Sequence, residues 1–389
     1  MAALAATGLV AAFALTTVTS VAATRLYVAV NGRAANTDTS CATARYAQIE
    51  GAIRAAAPGA SVVVCAGTYR GQVTVIKPIT LVSEHATIDA THAANGILIP
   101  ASGATVEGFT VRGAIGEGIL VVGKPAVPVS GVTVKDNVVE ANDQGAAMKP
   151  TYGHYRECKP SKGVPGDCGE GIHLMVAVRS TVSRNRVVGN AGGILLTDEF
   201  GPTDHNRIVR NTVTGNVFDC GITLASHSPK GYAKGTPAPA AGGVYDNTIA
   251  RNLTNGNGTK GQGAGILLAT ALPGGAVYGN TVADNTMSGN GLAGVTVHAH
   301  TPGEDLNGNV ITGNRIGTNN VDGDRDFSPH IDMAKTAIIV ATTASPVAIT
   351  VSHNHLADDG YGLWHTGPVT VSGWASNSLT DVKTASGTS

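Results

Sequence analysis

The stretch NRVVGNAGGILL, residues 185–196, contains both of the short motifs that decide the fold. The first motif is Asn-x-(Val/Ile)-x-x-Asn, with copies at residues 137–142, 185–190, 211–216, 247–252, 280–285 and 309–314. The second is Gly-(Ile/Val)-x-(Leu/Val), with copies starting at Gly171, Gly193, Gly221, Gly265 and Gly294 and weaker copies at 338–340 and 362–365. Two motifs recurring together indicate a repeat protein.

The spacing of the second motif gives the length of one repeat. Successive copies are separated by 22, 28, 44 and 29 residues, measured between Ile172, Ile194, Ile222, Ile266 and Val295. This is the period of a solenoid in which some coils carry insertions. Alternating apolar residues predict short strands, and Asn can adopt the left-handed conformation at a sharp turn. We therefore expect stacked coils with a ladder of Asn side chains along the axis.

Stacking would give every coil a hydrogen-bonded neighbour at ~4.8 Å and would bury a continuous core of Ile, Val and Leu. Aromatic residues make up only 4% of the chain, which fits a narrow interior. The open end of such a stack needs protection, because an exposed sheet edge promotes aggregation. Residues 46–57 place Ile49, Ile53 and Ala57 on one face and predict an amphipathic helix that caps the first coil.

The N-terminal part of the chain also resembles a known family. The resemblance to pectate-lyase-like, right-handed parallel β-helix repeat proteins is carried by residues 27–30, 47–53, 67–69 and 79–81 together with the coils. It covers nearly the whole chain after residue 23 and implies an all-β, single-stranded right-handed parallel β-helix with an N-terminal capping helix. The family includes polysaccharide lyases, glycoside hydrolases, epimerases, esterases and adhesins, so it does not choose a reaction.

The ends and the cysteines indicate export. Residues 1–23 are small and apolar and end in Val21-Ala22-Ala23, which fits a cleaved signal peptide and a secreted or periplasmic protein with no membrane anchor after cleavage. Residues 24–389 would form one β-helix domain with an N-terminal cap over about 24–70. By proximity in sequence, Cys41 would pair with Cys65 and Cys158 with Cys168. Cys220 would remain as a buried, inert thiol.

Charge excludes some partners. Charged residues make up 14% of the chain and the net charge is −1, which disfavours a nucleic-acid surface. A polysaccharide is the expected partner, and the sequence does not indicate the oligomeric state.

Aligning the coils on the second motif predicts a polar column. The outward fourth position holds Met175, Thr197, Ala225, Ala269 and His298, and two residues later the column reads Ala177, Glu199, His227, Ala271 and His300. In this register Glu199 and His227 lie on neighbouring coils, and His300 lies roughly 10 Å beyond His227. Carboxylates beside imidazoles are what acid/base catalysis needs. The catalytic candidates are Asp198, Glu199, His227, His298 and His300, with Asp204, His205 and Asp219 in support.

A structural explanation competes with this one. Exposed turns are rich in Asp and His because they contact water, so Asp204 and His205 could simply close a coil. Asp219 could cap its turn by accepting a backbone hydrogen bond.

Two insertions border the column, at residues 143–170 and 226–242. Long loops in a compact fold are often functional, and basic or aromatic side chains could bind acidic sugars. The substrate-binding candidates are His173, Lys149, Tyr152, Arg156 and Lys230.

No metal site is predicted, although residues 320–326 resemble part of a calcium loop without its bidentate Glu, so calcium is the one cofactor that the sequence admits. The sequence thus favours a polysaccharide lyase or glycoside hydrolase that binds a glycan along its outer face. A non-catalytic glycan-binding or surface protein and an exported metal-handling protein are the alternatives.

Overall fold

The computed structural model describes residues 24–125, 127–142, 169–199, 201–227, 242–260, 263–270, 272–320 and 336–388. Within these residues, every pair of named neighbouring strands is parallel, and the strands form four long sheets that wrap around one axis. Each full coil visits sheet III, sheet IV where it is present, sheet I and then sheet II. The predicted parallel β-helix is confirmed.

Sheet I contains β1 (Arg25–Val28), β2 (Ser61–Val64), β5 (Thr80–Ser83), β8 (Thr105–Glu107), β12 (Thr133–Lys135), β16 (Thr181–Ser183), β20 (Arg207–Val209), β24 (Thr248–Ala250), β28 (Thr281–Ala283), β31 (Val310–Thr312), β34 (Val347–Ser352) and β37 (Val369–Ser372). Sheet II contains β3 (Gly67–Arg70), β6 (Ala86–Asp89), β9 (Thr110–Arg112), β13 (Val138–Glu140), β17 (Arg186–Val188), β21 (Thr212–Thr214), β25 (Leu253–Asn255), β29 (Thr286–Ser288), β32 (Arg315–Ile316), β35 (His355–Ala357) and β38 (Ser378–Thr380).

Sheet III contains β4 (Val73–Thr74), β7 (Ile97–Ile99), β10 (Ile119–Val122), β14 (Glu170–Met175), β18 (Gly192–Thr197), β22 (Ile222–Ser226), β26 (Ile266–Thr270), β30 (Val295–Ala299), β33 (Thr336–Thr342), β36 (Tyr361–Thr366) and β39 (Thr384–Thr388). Sheet IV contains β11 (Val129–Ser130), β15 (Ala177–Val178), β19 (Thr203–Asp204), β23 (Val244–Tyr245) and β27 (Val277–Tyr278). Short 3-10 turns cover Cys41–Thr43 and Trp374–Ser376.

Asn ladders hold the turns between sheets, as the sequence predicted. Along one ladder, each Asn side-chain amide donates to the Asn side-chain oxygen of the next coil at about 3.0 Å, as between Asn185, Asn211 and Asn252. A second ladder starts at Asn142 and a third at Asn206. Because a buried amide without partners costs roughly 1–3 kcal/mol, these ladders fix the register of the stack.

The interior is a continuous column of aliphatic side chains. In sheet III, for example, Ile172, Ile194, Ile222 and Ile266 stack in register and are fully buried. The predicted capping helix is confirmed as α1 (Ile49–Ala55), which is shorter than the predicted segment and buries Ile49, Ala52 and Ile53 against the first coils.

The cysteine predictions divide into three outcomes. Cys41 and Cys65 form the predicted disulfide, with their Cα atoms 5.6 Å apart. Cys220 is a buried free thiol, and burial raises its pKa well above the usual value, so it is inert as expected. The predicted pair Cys158 and Cys168 lies outside the described residues.

Candidate functional site

The polar column predicted from the sequence follows sheet III. Thr197 lies opposite Ala225, Ala225 opposite Ala269 and Ala269 opposite His298, as the alignment of coils predicted. The alignment is wrong at Ala177, which lies in β15, where the neighbouring Val178 pairs with Asp204. Asp204 follows Thr197 by seven residues, whereas their partners Val178 and Met175 are three residues apart, and a fixed offset from the motif takes no account of the additional residues.

The outward side of sheet III is largely closed to solvent in the coils that carry these residues. Thr197 is 0% exposed, His173 1% and His298 6%, although all three side chains point away from the core. Polar groups at this depth must satisfy their hydrogen bonds within the protein. The candidate site is therefore a buried polar network that reaches the surface at one corner, rather than an exposed row of turns.

That corner lies where sheet III turns towards sheet IV, and it carries Glu199 and His227. Glu199 Oε1 and His227 Nδ1 are 2.8 Å apart, so the two side chains that the sequence placed on neighbouring coils form a hydrogen-bonded dyad. Their side chains are 20% and 26% exposed. A carboxylate that binds Nδ1 of a histidine fixes the ring and directs proton transfer to Nε2.

Asp198 is fully buried behind the dyad and binds the backbone that carries it. Its carboxylate accepts hydrogen bonds from Ser226 Oγ at 2.8 Å, from the His227 backbone N–H at 2.9 Å and from the Gly243 backbone N–H at 2.7 Å. These contacts join the end of β22 to the start of β23. The structure thus places Asp198 where it positions His227.

A second set of hydrogen bonds supports Glu199 from the other side. Thr197 Oγ1 donates to Glu199 Oε2, and His173 Nε2 lies 2.7 Å from the same hydroxyl, so His173 is the donor to Thr197. His173 Nδ1 lies 3.2 Å from Glu117 Oε1. His173, a predicted substrate-binding residue, is thus buried beneath the dyad and linked to it through Thr197.

The two carboxyl groups of this corner are shifted in opposite directions. Burial alone would raise the pKa of Glu199, but the hydrogen bond and charge of His227, the charge of His173 and the Thr197 hydroxyl lower it to about 2. Burial raises the pKa of Asp198 to about 6, helped by the negative charge of Glu199 and opposed by its three hydrogen bonds. Glu199 therefore stays ionised at any pH near neutral, and His227 has a permanent anionic partner.

His298 and His300 lie together two strands further along sheet III, about 10 Å from the level of His227. Their ring centroids are 4.5 Å apart in an edge-to-face arrangement. Burial, and then the positive charge of His300, lowers the pKa of His298 to about 3, so this imidazole is neutral near pH 7. The small residues Ala225 and Ala269 separate the pair from the dyad.

Asp204 and His205 form a separate cluster at the end of β19, at the corner where sheet IV turns to sheet I. Asp204 Oδ1 and His205 Nδ1 are 2.6 Å apart, and His205 Nε2 is 3.8 Å from Asp246 Oδ2. Burial, and then the charge and hydrogen bond of Asp204, raises the pKa of Tyr245 to about 12. The Tyr245 ring stacks on Tyr278 at 4.9 Å.

The remaining candidates divide into two groups. Asp219 lies before β22, at the opposite end of that strand from His227, and its carboxylate accepts the Cys220 backbone N–H at 2.7 Å. This is the capping contact that the sequence offered as the structural explanation. Lys149, Tyr152, Arg156 and Lys230 lie outside the described residues, and so does most of the calcium-like stretch.

Sequence reasoning missed Glu117, which lies beside His173. A signal for it exists, because Glu-Gly-Ile occurs both at residues 117–119 and at 170–172, and the two copies lie on adjacent strands. Glu117 and Glu170 are 4% and 3% exposed. The long insertion between the two copies hides their neighbouring positions in the stack.

Across the described ranges, no group of three or more His, Cys, Asp and Glu side chains is arranged to hold a metal ion. A membrane-crossing helix is not found in the part of the chain that the structure describes.

Comparison with known proteins agrees on the architecture. Residues 84–236 match the family model described as "Right handed beta helix region". Together with the parallel sheets, this match shows the right-handed parallel β-helix fold. A search of curated proteins finds no match to this sequence.

Two solved structures illustrate the likeness. An alginate lyase from Paenibacillus sp. str. FPU-7 is 14% identical, has a TM-score of 0.54, and the alignment covers 83% of this chain and 96% of that one. A pectate lyase is 18% identical with a TM-score of 0.47, and the alignment covers 86% of this chain and 79% of that one. At these identities the first likeness shows the fold alone.

Proposed function

We propose that this protein is a secreted or periplasmic polysaccharide lyase in which His227, held by Glu199, removes a proton from a uronate residue of the glycan. The observation that carries the proposal is the 2.8 Å contact between Glu199 Oε1 and His227 Nδ1 at a partly exposed corner. A histidine held in this way is the usual general base of enzymes that work near neutral pH.

The reaction would use the ring nitrogen that faces away from Glu199. Nε2 of His227 accepts the proton from C5 of the sugar, the C5–H electron pair forms the C4–C5 double bond, and the C4–O glycosidic bond breaks. The leaving oxygen then takes a proton from water. The hydrogen bonds of Asp198 to the backbone of His227 and Gly243 keep the corner rigid during this transfer.

Elimination is favoured over hydrolysis because the carboxyl groups of the corner are already engaged. Glycoside hydrolases need two carboxyl groups on opposite sides of the scissile bond. Here Glu199 binds Thr197 and His227, while Asp198 is buried against β22 and β23. Asp204, His205, His298 and His300 remain candidates for supporting roles along the glycan, as do Lys149, Tyr152, Arg156 and Lys230 for pairing with its carboxylates.

Export is part of the proposal. The Cys41–Cys65 disulfide is typical of oxidising compartments outside the cytoplasm, which is also where polysaccharides are met. The partner is a glycan, and neither calcium nor another cofactor is required by the dyad itself.

The test is a panel of acidic and neutral polysaccharides incubated with the purified protein, with and without added calcium. Alginate and polygalacturonate come first, since the solved structure with the higher TM-score is an alginate lyase. Ultraviolet absorbance of unsaturated uronates and new reducing ends are read together. Both signals should rise with the wild type. The variants His227→Gln and Glu199→Gln should each lower the rate by roughly 100-fold or more, the usual contribution of a positioned base.

A matched variant separates chemistry from folding. His355→Gln changes a partly exposed histidine on sheet II and should leave the rate unchanged. Reducing ends without the ultraviolet signal would replace the lyase with a hydrolase. Tight glycan binding without either signal would favour the non-catalytic alternative, and stoichiometric metal in the purified protein that is lost in His227→Gln would favour the metal-handling one.

A further inference from the structure

Three arginines stack on the opposite side of the same coils, at the corner between sheets I and II. Arg184, Arg210 and Arg251 each come directly before an Asn of the first ladder, and the register of β16, β20 and β24 places them above one another. Adjacent strands are ~4.8 Å apart, so three arginine backbones share one line along the axis.

The backbone at this position makes arginine an unexpected choice. Arg184, Arg210 and Arg251 have φ values of 55°, 59° and 58°. The left-handed region is unfavourable for long side chains and is occupied mainly by Gly, Asn and Asp. The same column indeed holds Gly108 and Gly313 in other coils. Strain that is kept at three consecutive positions suggests that the side chain is needed there.

Between its two ends, the row is flanked by further positive charge. Residues 180–191, 205–218 and 247–260, which carry the sheet I and sheet II strands of these three coils, contain no Asp or Glu. They do contain Arg186, whose side chain is 56% exposed, and the exposed Arg207. Acids appear only at the two ends of the row, where Asp136 binds Arg184, Glu140 lies 3.7 Å from Arg186 and Asp284 lies 3.7 Å from Arg251.

The contact of Arg184 with Asp136, at one end of the row, shows which chemical group these arginines bind well. Both oxygens of the Asp136 carboxylate bind Arg184, through Nε and Nη2 at 2.7 Å each. This two-pronged pairing is the preferred way for a guanidinium to bind a carboxylate. The next arginine along the row, Arg210, has the same left-handed backbone conformation as Arg184. It lies close to Arg207 in the same coil, and Arg184 and Arg251 lie on the adjoining coils.

We propose that Arg184, Arg186, Arg207, Arg210 and Arg251 form a second glycan-binding surface, which holds an acidic polysaccharide running parallel to the helix axis. Carboxylates along the polymer would pair with guanidinium groups of the row, which is built on coils spaced ~4.8 Å apart. The surface lies on other sheets than the dyad and would hold the polymer while a different segment reacts. The proposed binding surface does not depend on a catalytic role for His227.

The test measures binding of a fluorescently labelled oligogalacturonate and a labelled oligomannuronate to the purified protein by anisotropy. The variant Arg207→Gln/Arg210→Asn removes two charges, and Asn suits the left-handed backbone. Affinity should fall by roughly tenfold or more, as expected for lost charge-assisted pairs, and its salt dependence should weaken. Arg207→Gln alone, which lies in the regular strand β20, should lose binding by a smaller factor.

The matched control Arg25→Gln/Arg112→Gln removes the same charge from exposed positions in the first coils and should change affinity by less than about twofold. His227→Gln should bind like the wild type, so failure of the catalytic proposal is separable. Equal losses in the arginine variant and the control would overturn the proposal, and so would unchanged binding in the arginine variant. Binding of duplex DNA as tight as that of the uronates, and weakened by the same variant, would also overturn it.

Discussion

Two corners of the same coils handle charge in opposite ways. At the corner between sheets III and IV, Glu199, His227 and the buried Asp198 satisfy one another and nearby backbone groups. At the corner between sheets I and II, Arg210 lies in an exposed row with Arg184 and Arg251. The first arrangement builds a defined geometry for proton transfer, whereas the second is a line of exposed positive charge whose acidic partners, Asp136 and Asp284, lie at its two ends.

The difference follows from how a solenoid is made. Each turn needs one residue that closes the ladder, and Asn211 does so next to Arg210. The residue before it points outward and makes no ladder contact, so its chemistry can change from coil to coil. At the other corner the coil of Glu199 is longer between its sheet III and sheet IV strands than the coil before it. Its additional residues include Glu199, which contacts the His227 imidazole, and Asp198, which contacts the His227 backbone.

The largest effect is expected from the ladder that both corners depend on. Asn211→Ala removes an oxygen that accepts two hydrogen bonds from Asn185 and an amide that donates to Val182 and Asn252. Leaving these buried groups unpaired should lower the free energy of unfolding by about 4 kcal/mol. Urea unfolding followed by circular dichroism measures it.

Thr212→Ala, at the next residue on the outward side of β21, is the control and should change stability by less than about 0.5 kcal/mol. A similar decrease in the free energy of unfolding of the two variants would show that the Asn ladder contributes no more to stability than an outward residue does.

An intermediate effect is expected from Asp198, whose pKa of about 6 in the folded protein lies above the ordinary 3.8. Because the folded pKa is raised, the protonated form is favoured by folding. Its stabilisation is complete below pH 4 and is lost as the pH rises through 6. The unfolding free energy should therefore fall by about 2 kcal/mol between pH 4 and 6.

Asp198→Asn should abolish that slope, whatever its effect on absolute stability. Urea unfolding of both proteins across this window measures the difference between them, which isolates Asp198 from other groups such as Glu199. An equal slope in the variant would contradict the assignment and would weaken the contrast between the two corners.

The smallest effect is expected at the arginine corner. Arg210→Asn relieves a left-handed backbone that is unfavourable for arginine and reduces repulsion within the row. It should leave the thermal midpoint unchanged or raise it, with a gain in unfolding free energy of about 0.5 to 1 kcal/mol. Differential scanning calorimetry at low salt measures the shift. A clear loss of stability would mean that the arginine has a structural role, and the row would no longer contrast with the buried corner.

Much of the fold and part of the candidate site could be predicted from the sequence. The Asn motifs predicted the ladders, the Gly-(Ile/Val) motifs predicted sheet III, and their alignment predicted the contact between Glu199 and His227. These succeed because a stacked coil converts a repeat in sequence directly into a neighbour in space. The disulfide of Cys41 and the cap at Ile49 follow from similarly local patterns.

Other features depend on information that a repeat does not contain. The greater length of the Glu199 coil between Thr197 and Asp204 displaced Ala177 from the column, and the long insertion before Glu170 hid its alignment with Glu117. The burial of His173 could not be read from its outward position on the strand. The arginine row is present in the sequence as three Arg-Asn pairs, but the net charge of −1 for the whole chain does not reveal a local cluster of positive charge. The proposed function therefore rests on contacts such as that between Glu199 and His227, and not on composition.

The most direct test of the central claim follows the hydrogen at C5 of a uronate. An oligouronate from the most responsive member of the panel is incubated in D2O with wild-type protein and with His227→Gln, and NMR reads the C5 hydrogen and any C4–C5 double bond. The dyad predicts that wild-type protein removes the C5 hydrogen, giving the unsaturated product, and that His227→Gln leaves it in place. Cleavage by the wild type with the C5 hydrogen intact, or equal loss of that hydrogen with both proteins, would contradict the assignment of His227 as the base.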